Sequence, residues 1–196
     1  MNELPFVFIV GFNKTGTMSI HNFFKMNGFP SIHFGDGNNL ALTMVANCVN
    51  GQKILSGYDQ RFKVFSDLCF TNHNVNIEAN KFFRILDRDY PKSYFIYNNR
   101  NTEDWIESRL NHTHKGVSMV SRFLSIYNTS NVDVLKAAWR LEKELFEKDI
   151  KSYFGSSSFF LELDIECSNV SELIGNFLGM TFNAEHWRQH NKTKLA

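Results

Sequence analysis

The feature that most constrains the fold of this chain is an apolar run, Phe6 to Val10, that ends in a short polar loop. β-Branched and aromatic residues stop at Gly11, and apolar residues return with helical spacing from Met18 onward. This pattern predicts a β-strand, a loop and an α-helix in direct succession. Such a loop turns backbone N–H groups toward one point at the positive end of the helix dipole, so it favours a phosphate group.

The side chains of the loop strengthen this preference for an anion. Gly16 lets the backbone approach a ligand closely, and Lys14 contributes a full positive charge, while hydroxyl groups supply further hydrogen-bond donors. We predict that the ligand-binding residues of the loop are Asn13, Lys14, Thr15, Gly16, Thr17, Met18 and Ser19. The alternative is a simple strand-to-helix turn with a solvated lysine.

The loop differs from the nucleoside-triphosphate loop G-x-x-x-x-G-K-[ST] in the place of its lysine. Gly11 and Gly16 have the required separation, but Thr17 and Met18 follow where that motif has a lysine and a hydroxyl residue. Lys14 lies inside the loop, where it cannot lie along the β- and γ-phosphates, and no hydroxyl follows it to hold magnesium. The pattern therefore argues against an ordinary ATPase or kinase.

A second strand-to-helix junction carries groups of complementary chemistry. Residues 93–98 predict a strand with Arg100 at its end, and a helix follows that Asn101 or Thr102 caps. Ser108 is expected to face inward two turns along this helix. Arg100 and Ser108 together suit a second phosphate, through bidentate guanidinium bonds and one hydroxyl bond.

These two motifs resemble those of sulfotransferases that use 3′-phosphoadenosine-5′-phosphosulfate (PAPS). Residues 14–17 are similar to the family's 5′-phosphosulfate loop, and Arg100 with Ser108 is similar to its 3′-phosphate site. Residues 177–180 resemble the F-L-G segment of many members. The resemblance is closest to the compact single-domain enzymes, and it implies PAPS as sulfuryl donor, adenosine 3′,5′-bisphosphate as product and no metal. It also implies a place for Lys192, in the basic tail, over the 3′-phosphate; a frayed terminus is the alternative.

Length and composition fit one globular unit. The 196 residues include 43% hydrophobic and 15% aromatic residues, values that allow a substantial core. A net charge of +1 favours neither a nucleic-acid polymer nor an anionic membrane as partner. The three cysteines are scattered and odd in number, which favours reduced thiols. The sequence shows no signal-like or membrane-spanning pattern, so we expect a cytoplasmic location; a fragment of a membrane-anchored protein is the alternative.

Strand-like apolar runs alternate with helical patterns along the chain. This alternation predicts a single α/β domain over residues 1–196 with a central parallel β-sheet flanked by helices, and the resemblance implies the P-loop-NTPase-like fold of sulfotransferases. Strands are expected at residues 6–10, 30–34, 62–67, 93–98 and 158–163. Further helices are expected at residues 17–27, 39–49, 77–88, 131–153 and 168–178. The helix over 131–153 carries an apolar stripe made of Val134, Ala138, Leu141 and Leu145.

Ligands of parallel sheets collect at the carboxyl ends of the strands, where Lys14, His33, Asp67 and Arg100 are all expected. The chemistry predicted there is in-line transfer of a sulfuryl group to an acceptor hydroxyl or amine, with Lys14 stabilising the charge on the departing phosphate. The acceptor must lose a proton, so a general base is needed. His33 and Asp67 both qualify, and the family uses histidine in some branches and a carboxylate in others. Cys69 stands where small relatives have the proline of a D-x-P segment after the carboxylate.

The acceptor is not specified by any motif. We expect a small molecule or a carbohydrate, and the oligomeric state is open. His112 and His114 follow the Arg100 helix and could line the acceptor entrance, although a solvated loop is the alternative. Two alternative functions are compatible with the sequence. One is a small-molecule kinase or nucleotide hydrolase with a degenerate loop, and the other is a non-catalytic relative that binds nucleotide.

Overall fold

The computed structural model describes residues 4–114 and 116–188. Its strands are β1 Val7–Ile9, β2 Ser31–His33, β3 Gly35–Asp36, β4 Asn38–Asn39, β5 Val64–Ser66, β6 Cys69–Thr71, β7 Asn76–Glu78, β8 Tyr94–Asn99, β9 Thr113–His114, β10 Val117–Ser118 and β11 Phe160–Asp164. Its α-helices are α1 Thr17–Met26, α2 Leu40–Val49, α3 Phe83–Asp89, α4 Thr102–Leu110, α5 Met119–Ile126, α6 Val132–Phe154 and α7 Val170–Leu178. Short 3₁₀-helices occupy Ala79–Phe82 and Ala184–His186.

Five strands form one parallel sheet in the order β11-β8-β1-β5-β2. The central strand β1 pairs with β5 on one side and with β8 on the other, so that Val7 lies opposite both Val64 and Tyr94. The predicted α/β fold with a central parallel sheet is therefore confirmed. After β1 the chain fills one side of the sheet and then crosses to β8 on the other, so the loops after β1 and β8 diverge. A crevice at the carboxyl ends of these two strands is where such sheets hold ligands.

Alternate residues of β1 face opposite sides of the sheet, as the pleat requires. Val7 and Ile9 pack in a fully buried cluster with residues of α1 and α7. Phe8 packs in the other cluster, with α2, α3 and α6, where its ring centroid lies 5.8 Å from Phe65 and 5.1 Å from Phe95. Both faces of β1 are thus covered, which holds the loop that follows it on a rigid base.

The predicted helix over 77–88 is wrong in its first turns. Residues 76–78 instead form β7, which pairs antiparallel with β6, and α3 begins only at Phe83. The turn between the two strands is held by Asn72, whose side-chain oxygen accepts from the backbone N–H groups of Asn74 and Val75. This asparagine turn provides the hairpin with local hydrogen bonds that the apolar spacing of the segment did not indicate.

Helix α6 is the longest helix, with 23 residues, and it buries a different stripe from the one singled out in the sequence. Val134, Leu141 and Leu145 are 50%, 55% and 56% exposed, whereas Trp139 and Ile150 are fully buried. The sequence offered two neighbouring apolar stripes, and the one with the larger aromatic residues faces the core because it removes more apolar surface from water. Within the described residues, no helix has both the length and the apolar character needed to cross a bilayer.

Candidate active site

The loop after β1 is held from below by one buried asparagine. The Asn98 side chain, on β8, accepts a hydrogen bond from the Gly11 N–H at 2.8 Å and donates to both the backbone and the hydroxyl oxygen of Thr15 at 2.7 Å. The Thr15 hydroxyl in turn donates to the Phe12 carbonyl at 2.5 Å. A Cβ added to Gly11 would lie 2.2 Å from the Asn98 carbonyl oxygen, so only glycine fits at this crossing. Asn98 was missed in the sequence, where its only signal is an amide directly after an apolar run.

The tip of the loop adopts left-handed backbone conformations. Lys14 has a φ of 70° and Gly16, the N-cap of α1, a φ of 81°. A Cβ on Gly16 would also lie 2.9 Å from the Ile165 side chain. No side chain caps α1, its first turn holds no acidic residue, and the Thr17 and Met18 N–H groups have no acceptor among residues 4–114 and 116–188. These donors at the positive end of the helix are suited to an anion.

Left-handed residues other than glycine lie in the segments that follow three adjacent strands. These residues are Lys14 after β1, Asp67 after β5 and Phe34 after β2, with φ of 70°, 56° and 65°. Such a conformation costs of order 1–3 kcal/mol at each residue, and it is concentrated at functional sites. Three of the five non-glycine residues with positive φ in the described chain therefore lie at the carboxyl edge of the sheet, and the other two are Lys92 and Asn128.

The two candidate bases form one contact pair. His33 Nε2 lies 3.6 Å from Asp67 Oδ2, and His33 Nδ1 lies 3.0 Å from the Ser66 hydroxyl, which donates to the Ile32 carbonyl at 3.2 Å. The Ser66 hydroxyl favours a His33 proton on Nδ1, whereas the Asp67 carboxylate favours a proton on Nε2. Burial lowers the pKa of His33 and the Asp67 charge opposes this shift. The neutral form of His33 is therefore favoured at pH 7.

A second histidine, His21 on α1, flanks this pair. Its ring centroid lies 5.4 Å from that of His33, and its Nδ1 is 2.8 Å from the Ser31 hydroxyl. Burial, with a further contribution from the neighbouring His33, lowers the pKa of His21 to about 4. Neither imidazole therefore carries a charge near neutral pH, and the positive charge in this region comes from other side chains.

Lys14 supplies that charge and has an unexpected neighbour. Its Nζ lies 3.5 Å from His112 Nδ1, in the loop after α4. Burial lowers the pKa of Lys14, the nearby Asp67 charge opposes this, and Arg100 adds to the lowering. The pKa of His112 is also lowered, first by burial and then by the Lys14 charge, so His112 is the neutral acceptor of this contact. Lys14, Asp67, Arg100 and His112 thus share one electrostatic environment.

Arg100 lies beyond the end of β8 and is one-quarter exposed. Its Nε donates to Glu166 Oε1 at 3.1 Å, and Glu166 belongs to the loop after β11. Asn101, one of the two caps that the sequence predicted, caps α4 by accepting from the N–H groups of Glu103 and Asp104. A cavity of about 550 Å³ opens beside Arg100, and its lining consists of Asn99, Arg100, Asn101, Thr102, Lys143, Glu147, Glu162 and Asp164.

The remaining predicted residues fall into two groups. Thr17 and Ser19 are buried on the first turn of α1, beside Met18. Ser108 is buried on α4, but no hydrogen bond joins it to Arg100 within the described parts of the chain. Lys192 lies outside the described residues. No group of three His, Cys, Asp or Glu side chains suited to a metal ion occurs in residues 4–114 and 116–188.

Comparison with known proteins places this geometry in a family. A search of curated proteins returns no significant match. The profile of the sulfotransferase domain, by contrast, matches residues 6–162, which is more than three quarters of the 196 residues. The matched region contains β1 with its loop, the His33 and Asp67 pair, and Arg100 with α4. The chain therefore belongs to the sulfotransferase domain family.

Proposed function

We propose that this protein transfers a sulfuryl group from PAPS to an acceptor hydroxyl or amine by in-line displacement. The observation that carries the proposal is the pair of cationic side chains, Lys14 and Arg100, at the carboxyl ends of the adjacent strands β1 and β8. Two separated cations suit a ligand with two anionic ends, and membership of the sulfotransferase family supports this donor. We treat residues 1–196 as one catalytic domain.

The donor groups of the chain fit such a ligand. The left-handed loop with its uncapped helix end offers backbone N–H groups beside Lys14. Arg100 offers a guanidinium that, among the residues that the structure describes, pairs with the exposed carboxylate of Glu166. The residues proposed to hold the donor are Asn13, Lys14, Thr15, Gly16, Thr17, Met18, Ser19, Arg100 and Ser108, and Lys192 is proposed from the sequence alone. When bound, PAPS supplies an activated sulfuryl group and a phosphate that leaves with it.

Lys14 is the proposed electrostatic catalyst. Negative charge grows on the departing phosphate in the transition state, and an ammonium group fixed beside it stabilises that charge without reorganisation. Burial strengthens the interaction because it lowers the local dielectric constant. His112 accepts a hydrogen bond from the same ammonium group and thereby helps to hold it.

His33 and Asp67 are proposed to act as one base. The neutral His33 ring accepts the acceptor's proton, and the Asp67 carboxylate 3.6 Å from its Nε2 stabilises the imidazolium that results. The two side chains are only 13% and 15% exposed. This low exposure favours a small molecule or a protruding carbohydrate hydroxyl as the acceptor.

The first test separates donor binding from catalysis. Adenosine 3′,5′-bisphosphate is titrated into the purified full chain by calorimetry without magnesium, with ATP plus magnesium as the comparison. We expect micromolar binding of the bisphosphate that is weakened about ten-fold or more in Arg100→Ala and retained in His33→Ala. Binding of ATP alone, and only with magnesium, would move the protein to the hydrolase alternative.

The second test concerns the base. Turnover is followed as bisphosphate release from PAPS with a panel of small alcohols, phenols and sugars. Since the pKa of His33 is lowered, the acid limb of kcat/KM should lie below pH 6.5, with activity rising as His33 loses its proton. An acid limb that persists unchanged in His33→Ala would exclude this histidine as the proton acceptor.

A further inference from the structure

Arg109 is the most unusual charged residue outside the site itself. It lies on α4, is fully buried, and is surrounded by aromatic rings. The guanidinium carbon lies 4.4–5.6 Å from four ring centroids, those of Trp105, Trp139, Phe123 and Phe12. A guanidinium stacked among aromatic faces gains cation–π attraction, but this attraction alone does not explain a charge in the core.

The hydrogen bonds of Arg109 point to the loop after β1. Its Nη2 donates to Glu78 Oε1 at 2.9 Å, and its Nε donates to Asn13 Oδ1 at 3.0 Å. Trp105, one turn earlier on α4, donates from its indole Nε1 to the Asn13 carbonyl oxygen at 2.9 Å. Two side chains of one helix therefore hold both the side chain and the backbone of Asn13, the residue directly before Lys14.

Burial of the Arg109–Glu78 ion pair costs free energy. Burial of Glu78 raises its pKa, and the Arg109 charge only opposes that rise. Arg109 Nη1 and Glu78 Oε2 are buried without a hydrogen-bond partner among the described residues. Apolar side chains of the same size often fill such a space with equal or greater stability. Stability alone thus gives little reason for a charged pair here, whereas a fixed position for Asn13 does.

We propose that Arg109 and Trp105 are positioning residues that hold the anion-binding loop, and with it Lys14, in its reactive geometry. The proposal rests on the function proposed above for that loop. Helix α4 begins at Thr102, two residues after Arg100, and carries both positioning side chains. One rigid helix therefore connects Arg100 to the loop that holds Lys14. Glu78 fixes the guanidinium from the opposite side.

The test compares two tryptophan substitutions in the same aromatic cluster. Trp105→Phe removes the N–H that reaches Asn13, and Trp139→Phe is the matched control, because the Trp139 Nε1 is buried with no hydrogen-bond partner among the described residues. Both changes remove one indole ring from the surroundings of Arg109. A difference between the variants therefore reports the hydrogen bond to the loop and not the packing of the cluster.

The primary measurement needs no nucleotide. Backbone ¹⁵N order parameters of the full chain should be about 0.85 at Asn13 and Lys14 in the wild type and in Trp139→Phe. In Trp105→Phe they should fall below about 0.6 at these two residues, with the values in β1 unchanged. Arg109→Lys keeps the positive charge but loses the guanidinium that bonds to both Glu78 and Asn13. In the folded variant, the order parameters of Asn13 and Lys14 should fall in the same way. Equal order parameters in Trp105→Phe and Trp139→Phe would overturn the proposal.

The kinetic measurement then connects the loop to catalysis. Trp105→Phe should lower kcat about ten-fold or more and change bisphosphate affinity less than three-fold, because a displaced Lys14 affects the transition state more than ground-state binding. A lower affinity with unchanged kcat would contradict positioning of Lys14. If the wild-type chain binds no bisphosphate at all, the proposed function fails, while the order parameters still decide whether α4 holds the loop.

Discussion

The two cationic ends of the site are built in opposite ways. Lys14 sits on a loop that Asn98 holds from below through a buried hydrogen bond and that Arg109 and Trp105 hold from the side through partly buried ones. Arg100 is one-quarter exposed and pairs with Glu166, a carboxylate that is itself 41% exposed. The fixed end suits stabilisation of a transition state, which tolerates no reorganisation, and the open end suits capture and release of a ligand.

The largest effect should come from the fixed end. Lys14→Ala removes an interaction that is strongest in the transition state, so we expect kcat to fall by roughly 10²-fold or more. Bisphosphate affinity should change much less. Lys25→Ala, at the exposed end of α1, is the matched control for loss of a nearby positive charge. Turnover of both variants is measured as steady-state bisphosphate release. Unchanged turnover in Lys14→Ala would contradict the catalytic role of Lys14 and with it the contrast with Arg100.

The next effect concerns the support of the loop. Asn98→Ala leaves the Gly11 N–H and the Thr15 oxygen atoms buried without their partner, which should lower the free energy of unfolding by about 2–4 kcal/mol. Denaturant unfolding measures this loss. Asn74→Ala, in the exposed turn between β6 and β7, should change stability by less than about 0.5 kcal/mol. Similar stabilities for the two variants would mean that the loop does not depend on β8.

At the open end the effect should appear in binding. Arg100→Ala removes charge-assisted hydrogen bonds to the ligand, so the bisphosphate Kd should rise about ten-fold or more while kcat at saturation falls little. Calorimetry and steady-state kinetics together give this split. A large fall in kcat at unchanged Kd would make Arg100 part of the catalytic group and end the contrast with Lys14.

The smallest effect should be a gain in bisphosphate affinity at the Arg100 end of the site. Glu166→Gln removes the carboxylate that competes for Arg100, so bisphosphate should bind about two- to five-fold more tightly, as expected for one exposed ion pair. Glu172→Gln, exposed on α7, controls for the change in net charge. Weaker binding in Glu166→Gln would show that this carboxylate helps to orient the guanidinium.

Much of this molecule follows from local sequence. The strand-to-helix junctions at Gly11 and Arg100 are visible because an apolar run gives way within a few residues to a helical pattern. The exposed side chain of Asn101 caps α4 through near neighbours, and it was one of the two caps that the sequence predicted. The parallel sheet then follows from the alternation of strands and helices.

The supports of the loop could not be predicted in this way. Asn98 bonds to Gly11 across 87 residues, and Arg109 bonds to Asn13 across 96. A single sequence contains no signal for which polar residue meets which loop at such separations. Helix α6 presents a related ambiguity, since packing against the sheet, and not helical periodicity, decides that Trp139 and not Leu141 is buried.

The left-handed residues at the strand ends bear on how this protein can be engineered. A designer seeking higher thermal stability would replace residues of positive φ by glycine, which adopts that conformation freely. At Lys14 and Asp67 that substitution would raise stability but remove the side chains that are proposed to act in catalysis. Among the three residues, Phe34 is the one that glycine can replace without loss of a proposed catalytic group. Its side chain is 43% exposed.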